Sequence, residues 1–417
     1  MKKVLVIGGG GREHAIVDAL SRSPQVGKIF CAPGNAGIAS QAECVPIKDN
    51  DVEGLLSFAR SNGIDLTVVG PEASLAAGVV DRFRNEGLTI FGHTVGATRI
   101  ESSKEFAKRI MDKYGIPTAG YRSFTDYAEA LEYVKRRPFP AVLKYDGLAA
   151  GKGVVIAADL QEADGALKDM LVGESFGKGK VVIEDYLEGP EFSFMCFVDG
   201  NRVYPMPLSQ DHKRAFDADE GPNTGGMGAY TGLPFITEDE KEYALCEIIR
   251  KTADAMVAEG LPLSGVLYGG LMKTAQGIKV IEFNARFGDP ETEVVLPLLD
   301  SDIFNIFEAV ATGREAEPLK WSSDVTMGVV LASKGYPGSY SKGFEINLPE
   351  IPADGGRIYH MGTSLKDGSL VTSGGRVLMC VAREKDIRKA KESAYHTVDA
   401  VKCDNLFFRS DIAHWAL

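Results

Sequence analysis

The sequence has few cysteines, and they do not form a pattern. The six are Cys31, Cys44, Cys196, Cys246, Cys380 and Cys403, with no CxxC pair among them. A chain of 417 residues is long enough to bury a core of its own and does not depend on disulfides for stability. We therefore expect buried, reduced thiols and no disulfide framework.

Positive charge and long apolar runs are also scarce. The formal net charge is −12, which argues against nucleic acid or an anionic membrane surface as a partner, because both require a basic face. No stretch approaches the roughly 18 uninterrupted apolar residues of a membrane span. The basic start MKK leads into the short apolar run VLVI, which predicts a first strand rather than a signal peptide. We expect a cytoplasmic protein.

Histidines are few and isolated. The sequence contains six, with no HxxxH spacing and no cluster with cysteine. A zinc site is therefore not predicted. The glycine-rich and acidic segments are the better candidates for chemistry.

The N-terminal part, residues 1–101, predicts a doubly wound parallel sheet. Strand-like runs at 4–7, 28–31, 66–69 and 88–91 alternate with helix-like stretches, and helical crossovers between strands are typical of parallel sheets. Three of the strands lead into the loops GGGGREH, APGNAG and GPEASL. Such sheets bind ligands at the carboxyl ends of their strands, so these loops are candidate binding loops.

The pattern changes after residue 101. From 102 to 324, helices and hairpins mix, which predicts an α+β unit. The last stretch, 325–417, is rich in glycine and short apolar runs and ends with a long helical pattern. We interpret it as a small C-terminal α+β domain.

The loop GGGGREH does not match a dinucleotide fingerprint. A GxGxxG pattern read from Gly8 requires a third glycine at the position of Glu13, and read from Gly9 at that of His14. No acidic residue follows the second strand for a ribose. The turn into a helix beside Arg12 instead favours a monophosphate held by backbone N–H groups, although glycines needed only for a tight turn are the alternative.

A second glycine-rich loop, DGLAAGKGV, follows the strand AVLKY. It lies between two predicted strands and so is not a Walker loop. With backbone donors and Lys152 it can fold over a polyphosphate. Lys144, among apolar neighbours in the strand, is either an edge residue that extends to water or a phosphate ligand.

The segment IKVIEFNARFGDPETE predicts a metal site. In a regular strand, Ile278, Val280, Glu282 and Asn284 share one face. Glu282 and Asn284 then stand about 7 Å apart along the strand. Two hard oxygen donors, completed by phosphate oxygens, suit Mg²⁺.

Two further segments are candidate ligand contacts. VVIEDYLEGPE reads as a buried strand whose end, Glu184 to Leu187, can offer backbone groups to an adenine edge, with Glu191 on the ribose hydroxyls. QDHKRAFDADEGPNTGGMGAY, 210–230, reads as a long polar loop, and loops of that length inside compact domains are often functional.

Together these segments resemble a known family. VIGGGGREHA, APGNAG, TVVGPE, DGLAAGKGV, QDHKR, GPNTGGMGAY and VIEFNARFGDPET are similar to the motifs of the phosphoribosylamine–glycine ligases, ATP-grasp enzymes of purine biosynthesis. The resemblance covers essentially the whole chain. It implies an ATP-grasp fold for 102–324, with a glycine-rich lid at about 120–190. It also implies a monomer that joins glycine to 5-phosphoribosylamine through glycyl phosphate, using ATP and Mg²⁺ or Mn²⁺.

The resemblance also implies a role for each matching position. Metal binding is implied for Glu282 and Asn284, and catalysis for Arg286, Asp289 and Lys213. Contacts to ATP are implied for Lys104, Lys144, Gly151, Lys152, Gly153, Glu184, Asp185, Tyr186, Leu187, Glu191, Arg214 and Asn223. Contacts to the other substrates are implied for Gly10, Gly11, Arg12, Asn35, Glu72, Asp211, Gly225 and Gly226.

Three positions depart from the family pattern. Tyr145 stands where alanine is common, His93 where proline is usual, and Glu293 where glutamine is frequent. Other functions stay open: an ATP-grasp ligase for another carboxylate or amine, an NAD-dependent oxidoreductase, or a binding protein without turnover.

Overall fold

A computed structural model of the chain describes residues 1–147, 153–173, 179–350 and 356–417. Gly151 and Lys152, which the sequence places in the lid, lie outside these ranges. No helix in the described ranges has both the length and the apolar character to cross a bilayer.

The N-terminal part forms the predicted parallel sheet. Its strands lie in the order β3-β2-β1-β4-β5, and every pairing is parallel. Its elements are β1 (Lys2–Gly8), α1 (Gly11–Ser21), β2 (Val26–Pro33), β3 (Glu43–Cys44), α2 (Val52–Asn62), β4 (Leu66–Val69), α3 (Glu72–Ala76), α4 (Val79–Asn85), β5 (Ile90–Phe91) and α5 (Val95–Ser102). The loops after β1, β2 and β4 meet at one edge of the sheet, as predicted.

The next elements build a small antiparallel sheet, which we call the lid sheet. They are α6 (Lys104–Tyr114), β6 (Tyr121–Phe124), α7 (Tyr127–Val134), β7 (Ala141–Tyr145), β8 (Val154–Ala157), α8 (Leu160–Leu171) and β9 (Val181–Asp185). The strands lie in the order β6-β9-β7-β8. Apolar side chains of α7 and α8 pack on this sheet in a core of its own, which includes Ala130, Leu143, Leu167 and Ile183.

The central elements form most of a large antiparallel sheet. They are β10 (Glu191–Asp199), β11 (Arg202–Pro205), β12 (Ser209–Asp211), β13 (Arg214–Phe216), β14 (Glu220–Asn223), β15 (Gly228–Thr231), α9 (Glu238–Tyr243), a π-helical stretch (Ala244–Arg250), α10 (Lys251–Ala258), β16 (Ser264–Thr274), β17 (Gly277–Asn284), α11 (Glu291–Val295) and α12 (Ile303–Thr312). The apolar strands β10 and β16 lie side by side at its centre.

The prediction of a long loop over 210–230 was wrong. The structure places four short strands there, β12 to β15, with β12 and β15 inside the large sheet. The other two, β13 and β14, pair with each other in a largely exposed hairpin. Strands this short and this polar lack the alternating apolar pattern by which a strand is recognised in sequence.

The C-terminal part combines strands with a helix, as predicted, and extends the large sheet. Its elements are β18 (Val325–Ser333), β19 (Gly356–His360), β20 (Thr363–Lys366), β21 (Ser369–Thr372), β22 (Arg376–Glu384), α13 (Ile387–Ala400) and β23 (Leu406–Phe407). The full sheet order is β17-β16-β10-β12-β15-β18-β22-β19. A shared core joins Val6 of β1, Phe287 and Met379 of β22. The division at 101/102 and 324/325 stays a prediction.

The six cysteines are free thiols, and the prediction that they are buried was wrong for Cys44, Cys246 and Cys403, which are partly exposed. Cys31, Cys196 and Cys380 are buried. Burial raises the pKa of the Cys380 thiol to about 12, so that side chain behaves as a small apolar group.

Candidate active site

A β-bulge in β17 determines where the proposed metal ligands point. Gly270 pairs with Glu282, but its neighbour Leu271 pairs with Val280, so Ile281 is the extra residue. Because a bulge resets the alternation of side chains, Phe283 joins Val280 in the apolar core. The prediction that Ile278 and Val280 share a face with Glu282 and Asn284 was therefore wrong. The two polar residues lie on the opposite face from that core.

Positive charge surrounds the Glu282 carboxylate. Burial would raise the pKa of this carboxyl, but neighbouring cations lower it below its ordinary value. Those cations are Lys144, Lys213, Lys104 and Arg286. These four cationic side chains favour the ionised form of the Glu282 carboxylate in a buried setting.

Glu282 and Asn284 also fit a divalent cation. Among the described residues, the Glu282 carboxylate has no hydrogen bond and no ion pair within 4.0 Å, so its oxygens are available. Asn284 Oδ1 accepts one hydrogen bond from Arg286 Nη2 at 3.1 Å and retains a second lone pair. In the described ranges no three His, Cys, Asp or Glu side chains converge to hold a metal. A carboxylate plus an amide, completed by ligand oxygens and water, suits Mg²⁺ or Mn²⁺.

Lys144 belongs to a buried ring of charges that the sequence did not predict. Glu184 lies between two lysines, with its Oε1 3.0 Å from Lys144 Nζ and its Oε2 2.9 Å from Lys108 Nζ. Lys144 also donates to the carbonyl of the bulge residue Ile281 at 2.9 Å. The side chain of Glu184 thus neutralises lysines, a role distinct from the backbone contact to adenine predicted for it.

The other half of the ring returns to the same strand. Lys108 Nζ donates to Thr118 Oγ1 at 2.8 Å, and Thr118 Oγ1 donates to the carbonyl of Val280 at 2.8 Å. Lys108 and Glu184 are 2% and 3% exposed, so neither charge is screened by water. Burial lowers the pKa of Lys108 to about 8, although Glu184 opposes the shift. The ring connects α6, the lid sheet and the bulge beside Glu282.

We expect Lys108→Met to destabilise the protein by about 3 kcal/mol, the low end of the cost of breaking a buried ion pair. Glu184 keeps Lys144 as a partner, which limits the loss. Lys113→Met, on the same helix but at an exposed ion pair with Glu259, is the matched control, and its effect on urea unfolding should be small. Equal effects of the two substitutions would contradict the structural role of the ring.

The root of the glycine-rich loop is fixed to helix α6. Asp146 Oδ1 accepts from Ser103 Oγ at 3.1 Å and from the backbone N–H of Glu105 at 3.1 Å, so it caps the helix. Lys104 Nζ donates to the carbonyl of Gly147 at 3.0 Å. The backbone N–H of Tyr145 donates to the carbonyl of Gly153 at 2.8 Å. Lys104 and Gly153 therefore stand at the base of the predicted lid.

Lys213, two residues after the end of β12, lies near Glu282. It forms an ion pair with Glu191 at the start of β10. Burial would lower the pKa of Lys213, but Glu191, Asp211 and Glu282 raise it, so the side chain stays charged. Burial, together with Glu291, raises the pKa of Asp211 to about 7 despite Lys213. The structure thus brings Lys213, Glu191 and Asp211 together.

Arg214 and Asn223 lie further out. They are cross-strand partners in the β13–β14 hairpin, and both are exposed. Arg214 Nη1 donates to the carbonyl of Gly221 at 2.7 Å. These two predicted ATP contacts sit on an exposed ribbon outside the buried cluster.

The predicted adenine segment, Glu184 to Leu187, spans the end of β9 and the two residues after it. Asp185 pairs with Arg137, and its backbone N–H donates to the carbonyl of Gly120 at 2.9 Å. Tyr186 is exposed and Leu187 is partly exposed. The predicted contact of the Tyr186 and Leu187 backbone with adenine stays a prediction.

Arg286 connects the metal-ligand pair to the N-terminal sheet. Its guanidinium lies 3.3 Å from Glu101 Oε1 and 3.6 Å from Glu72 Oε2. Burial would lower the pKa of Arg286, but Glu101 and Glu72 raise it. Glu101, the penultimate residue of α5, is a partner that the sequence did not predict.

Asp289 faces the C-terminal part and the first glycine loop. Its Oδ1 lies 2.9 Å from Arg376 Nη2, and Arg376 Nη1 donates to the carbonyl of Gly225 at 2.7 Å. Gly226 adopts φ +111° and leaves no room for a side chain beside Pro290. Arg376 therefore fixes the Gly225–Gly226 turn against the RFGDP turn. No motif in the sequence signals it.

At the first glycine loop, Glu13 takes up donors that were predicted to face a phosphate. The backbone N–H of Gly10 donates to Glu13 Oε2 at 2.6 Å, and Arg12 Nε lies 2.6 Å from Glu13 Oε1. A side chain at Gly8 or at Gly70 would collide with Glu13. Part of the glycine requirement is thus close packing around a carboxylate, as in the tight-turn alternative.

Arg12 nevertheless faces the candidate site. Arg12 is 7% exposed. Its Nη1 donates to the carbonyl of Phe287 at 3.2 Å, and the same Nη1 lies 4.0 Å from Glu72 Oε2. Burial would lower the pKa of Arg12, but Glu13, Asp289 and Glu72 raise it. Glu72 stands between Arg12 and Arg286 and links the two ends of the site.

Asn35 has a role within the fold. Its Nδ2 donates to the carbonyls of Gly9 and His360 at 2.9 and 2.7 Å. Its Oδ1 accepts from the backbone N–H groups of Gly37 and Ile38 at 2.9 and 3.0 Å. Both donors and both acceptor positions are used, so its predicted substrate contact would have to come from the backbone.

Two of the family departures are accommodated by packing. The N–H of Ser264 donates to His93 Nδ1 at 3.0 Å, so Nε2 carries the proton and donates to the carbonyl of Val266 at 2.9 Å. Burial lowers the pKa of His93 to about 4, which keeps it neutral. The ring of Tyr145 fills the space beside Gly147 and Gly179. Neither lies among the proposed metal ligands.

The sequence also did not predict a buried hydrogen-bonded group near Asp211, formed by Tyr268, Ser193 and Glu291. Tyr268 donates to Glu291 Oε1 at 2.5 Å, and Ser193 Oγ donates to the same atom at 3.2 Å. Lys108 had a usable signal, because it stands four residues after Lys104 and so shares its helix face. The Tyr268–Ser193–Glu291 group joins three separate elements and has no local signal.

Profiles of one family match the chain in three stretches. The phosphoribosylglycinamide synthetase N domain matches residues 2–101, its ATP-grasp (A) domain matches 102–292, and its C domain matches 326–415. A phosphoribosylamine–glycine ligase of Halalkalibacterium halodurans is 50% identical over 416 residues, 99% of this chain and 97% of that protein. Its counterpart in Pseudomonas aeruginosa is 48% identical over 421 residues, 99% and 98% of the two proteins.

Solved structures agree. The phosphoribosylamine–glycine ligase of Thermotoga maritima has a TM-score of 0.88 at 35% identity, covering 99% of this chain and 100% of its own. A biotin carboxylase of Campylobacter jejuni, solved as a β-γ-ATP complex, has a TM-score of 0.77 at 15% identity, covering 100% and 94%, which shows the shared ATP-grasp fold alone. On these similarities, the chain belongs to the phosphoribosylamine–glycine ligase family.

Proposed function

We propose that the protein joins glycine to 5-phosphoribosylamine and converts ATP to ADP and phosphate. The observation that carries the proposal is the Glu282 carboxylate, ionised among Lys104, Lys144, Lys213 and Arg286 and followed two residues later by Asn284. The curated relatives named as this ligase match the chain along nearly its full length. Carbon–nitrogen ligation at the cost of ATP is the chemistry that this donor set supports.

The reaction requires an activated carboxylate, because a carboxylate is a poor electrophile. The γ-phosphoryl group passes to a carboxylate oxygen of glycine, which breaks the β–γ P–O bond of ATP and gives glycyl phosphate and ADP. The amine nitrogen then attacks the acyl carbon, a C–N bond forms, the C–O bond to phosphate breaks and a proton is lost. No protein nucleophile is required, since positioning and charge stabilisation suffice for phosphoryl transfer.

We assign the ligands as follows. Glu282 and Asn284 hold the divalent cation, which when bound supplies neutralising charge to the triphosphate. Lys104, Lys144 and Lys213 face phosphate oxygens. Arg286 and Asp289 position glycine and the transferred phosphoryl group. The phosphate of 5-phosphoribosylamine lies toward Gly10, Gly11 and Arg12.

The arrangement of ion pairs supports this division. Arg286 and Arg12 both contact Glu72 and the carbonyl of Phe287. These shared partners link Arg286, at the proposed ATP end of the site, to Arg12, at the proposed sugar-phosphate end. A polar site enclosed by a lid also protects an acyl phosphate from water. Mg²⁺ or Mn²⁺ as the divalent cation, a monomeric state and a cytoplasmic location stay predictions.

The function is tested by following ADP release with each substrate omitted in turn. We expect release to require glycine, 5-phosphoribosylamine and a divalent cation together. Release that continues without glycine would reject this assignment and favour another ATP-grasp ligase. Binding of NADH, detected by fluorescence, would instead support an oxidoreductase.

A further inference from the structure

Glu293 is a buried carboxyl without a hydrogen-bond partner. It lies in α11, is 0% exposed, and neither of its oxygens has a partner among the described residues. Buried polar groups are normally paired, and an unpaired buried carboxylate carries a large desolvation cost. The site assignments above leave this group unused.

The carboxyl lies against the start of helix α1. A side chain at Gly11, the first residue of that helix, would collide with Glu293 Oε1 and with Met361. The absence of a side chain at Gly11 therefore makes room for the carboxyl at the first turn. That turn carries backbone N–H groups without helical partners and the positive end of the helix dipole. It is also the part of α1 where the sugar phosphate is proposed to bind.

The charges that face Glu293 come from several elements. The charged groups are Asp289, Glu291 and Arg376, and the buried phenol of Tyr359 is a further titratable neighbour. Burial and then Asp289 raise the pKa of the carboxyl well above its ordinary value, Glu291 adds to the shift, and Arg376 opposes it. Together these contributions favour the neutral acid over the carboxylate.

We propose that Glu293 is a positioning residue that controls the charge at the N-terminus of α1. As a neutral acid it adds no second negative charge to that of Glu13 at the helix start, and the N–H groups of Gly11 and Arg12 can then hold the phosphate monoester of the sugar substrate. As a carboxylate it is an internal anion at the same helix end, where it competes for the N–H groups and repels the phosphate. The inference rests on the proposed function, since it assumes that the phosphate binds there.

The test compares the wild-type chain with Glu293→Gln, the neutral isostere, and uses ribose 5-phosphate as a stable probe. Calorimetric titrations run from pH 7 to 9.5, where the phosphate is a dianion throughout because its second pKa is about 6. We expect the Kd of the wild-type protein to weaken by about tenfold over this range and that of Glu293→Gln to stay nearly constant. Other titrating groups are common to both proteins and cancel in the comparison.

Identical pH dependence in the two proteins would overturn the inference alone. Failure of both to bind ribose 5-phosphate at pH 7 would overturn the proposed phosphate site as well, so the two failures are distinguishable. Titrations of the wild-type protein in two buffers of different ionisation heat give an independent measurement. We expect proton uptake on binding at alkaline pH, and no uptake would contradict the proposal.

Thermal stability supplies a further readout. Because the folded-state pKa is raised, the contribution of Glu293 to stability is full below its ordinary pKa of 4.5 and is lost as the pH rises toward the folded value. We therefore expect Glu293→Gln to raise Tm relative to the wild-type protein more at pH 8 than at pH 5. An equal change at both values would contradict a neutral buried acid.

Discussion

Glu282→Ala is expected to lower kcat by about 10³-fold, the scale of removing one group that stabilises transition-state charge, while the protein stays folded. The carboxylate is the only acidic member of the cluster assigned to the metal, and Asn284 alone is a weak neutral ligand. Lys104, Lys144 and Lys213 remain, so nucleotide without metal should still bind. Activity as a function of Mg²⁺ concentration measures the effect.

The control for this substitution is Lys279→Ala on the same strand. Lys279 is partly exposed and precedes the bulge, so its removal tests whether any change in β17 disturbs activity. We expect nearly full turnover for Lys279→Ala, with circular dichroism unchanged in both variants. Near-normal activity of Glu282→Ala would rule out the metal role.

Arg12→Ala is expected to raise KM for 5-phosphoribosylamine by about 10- to 100-fold, the equivalent of one or two charge-assisted hydrogen bonds. KM for ATP should change little, because Arg12 reaches the ATP end only through Glu72 and the Phe287 carbonyl. Inhibition by ribose 5-phosphate, measured against each substrate, checks the same division without the labile amine.

Arg12→Lys is the matched variant, since it keeps the charge that Glu13 requires but loses the planar donor set. We expect it to fold as the wild-type protein does and to show an intermediate KM. An equal rise of both KM values in Arg12→Ala would contradict the separation of sugar phosphate from ATP. It would indicate that Arg12 acts by supporting the fold around Glu13.

The fold was predictable where local patterns are strong. Buried strands such as β1 and β4, separated by helices, predict a parallel sheet because each apolar run is too short for a helix and is followed by a turn. The segment 210–230 lacks such a pattern of buried apolar runs, because β14 is exposed along its whole length. Its membership in a sheet depends on the partner strand, and sequence alone does not reveal that partner.

The sequence predicts which residue types stand in the candidate site, and their roles stay predictions, but it does not predict the local geometry. The spacing of Glu282 and Asn284 predicts them as metal ligands, but the bulge at Ile281 changes which neighbours share their face, because alternation by two assumes a regular strand. The roles of Glu184 and Arg376 depend on partners distant in sequence, Lys108 on α6 and Asp289 before α11. Tertiary contacts of this kind leave no periodic signal.

The most direct test of the account is a crystal structure of the protein with Mg²⁺, glycine and a non-hydrolysable ATP analogue. We predict one cation within about 2.1 Å of a Glu282 oxygen and of Asn284 Oδ1, with the analogue's phosphates completing its coordination and Lys144 beside them. A bound nucleotide from which both Glu282 and Asn284 point away would contradict the central claim.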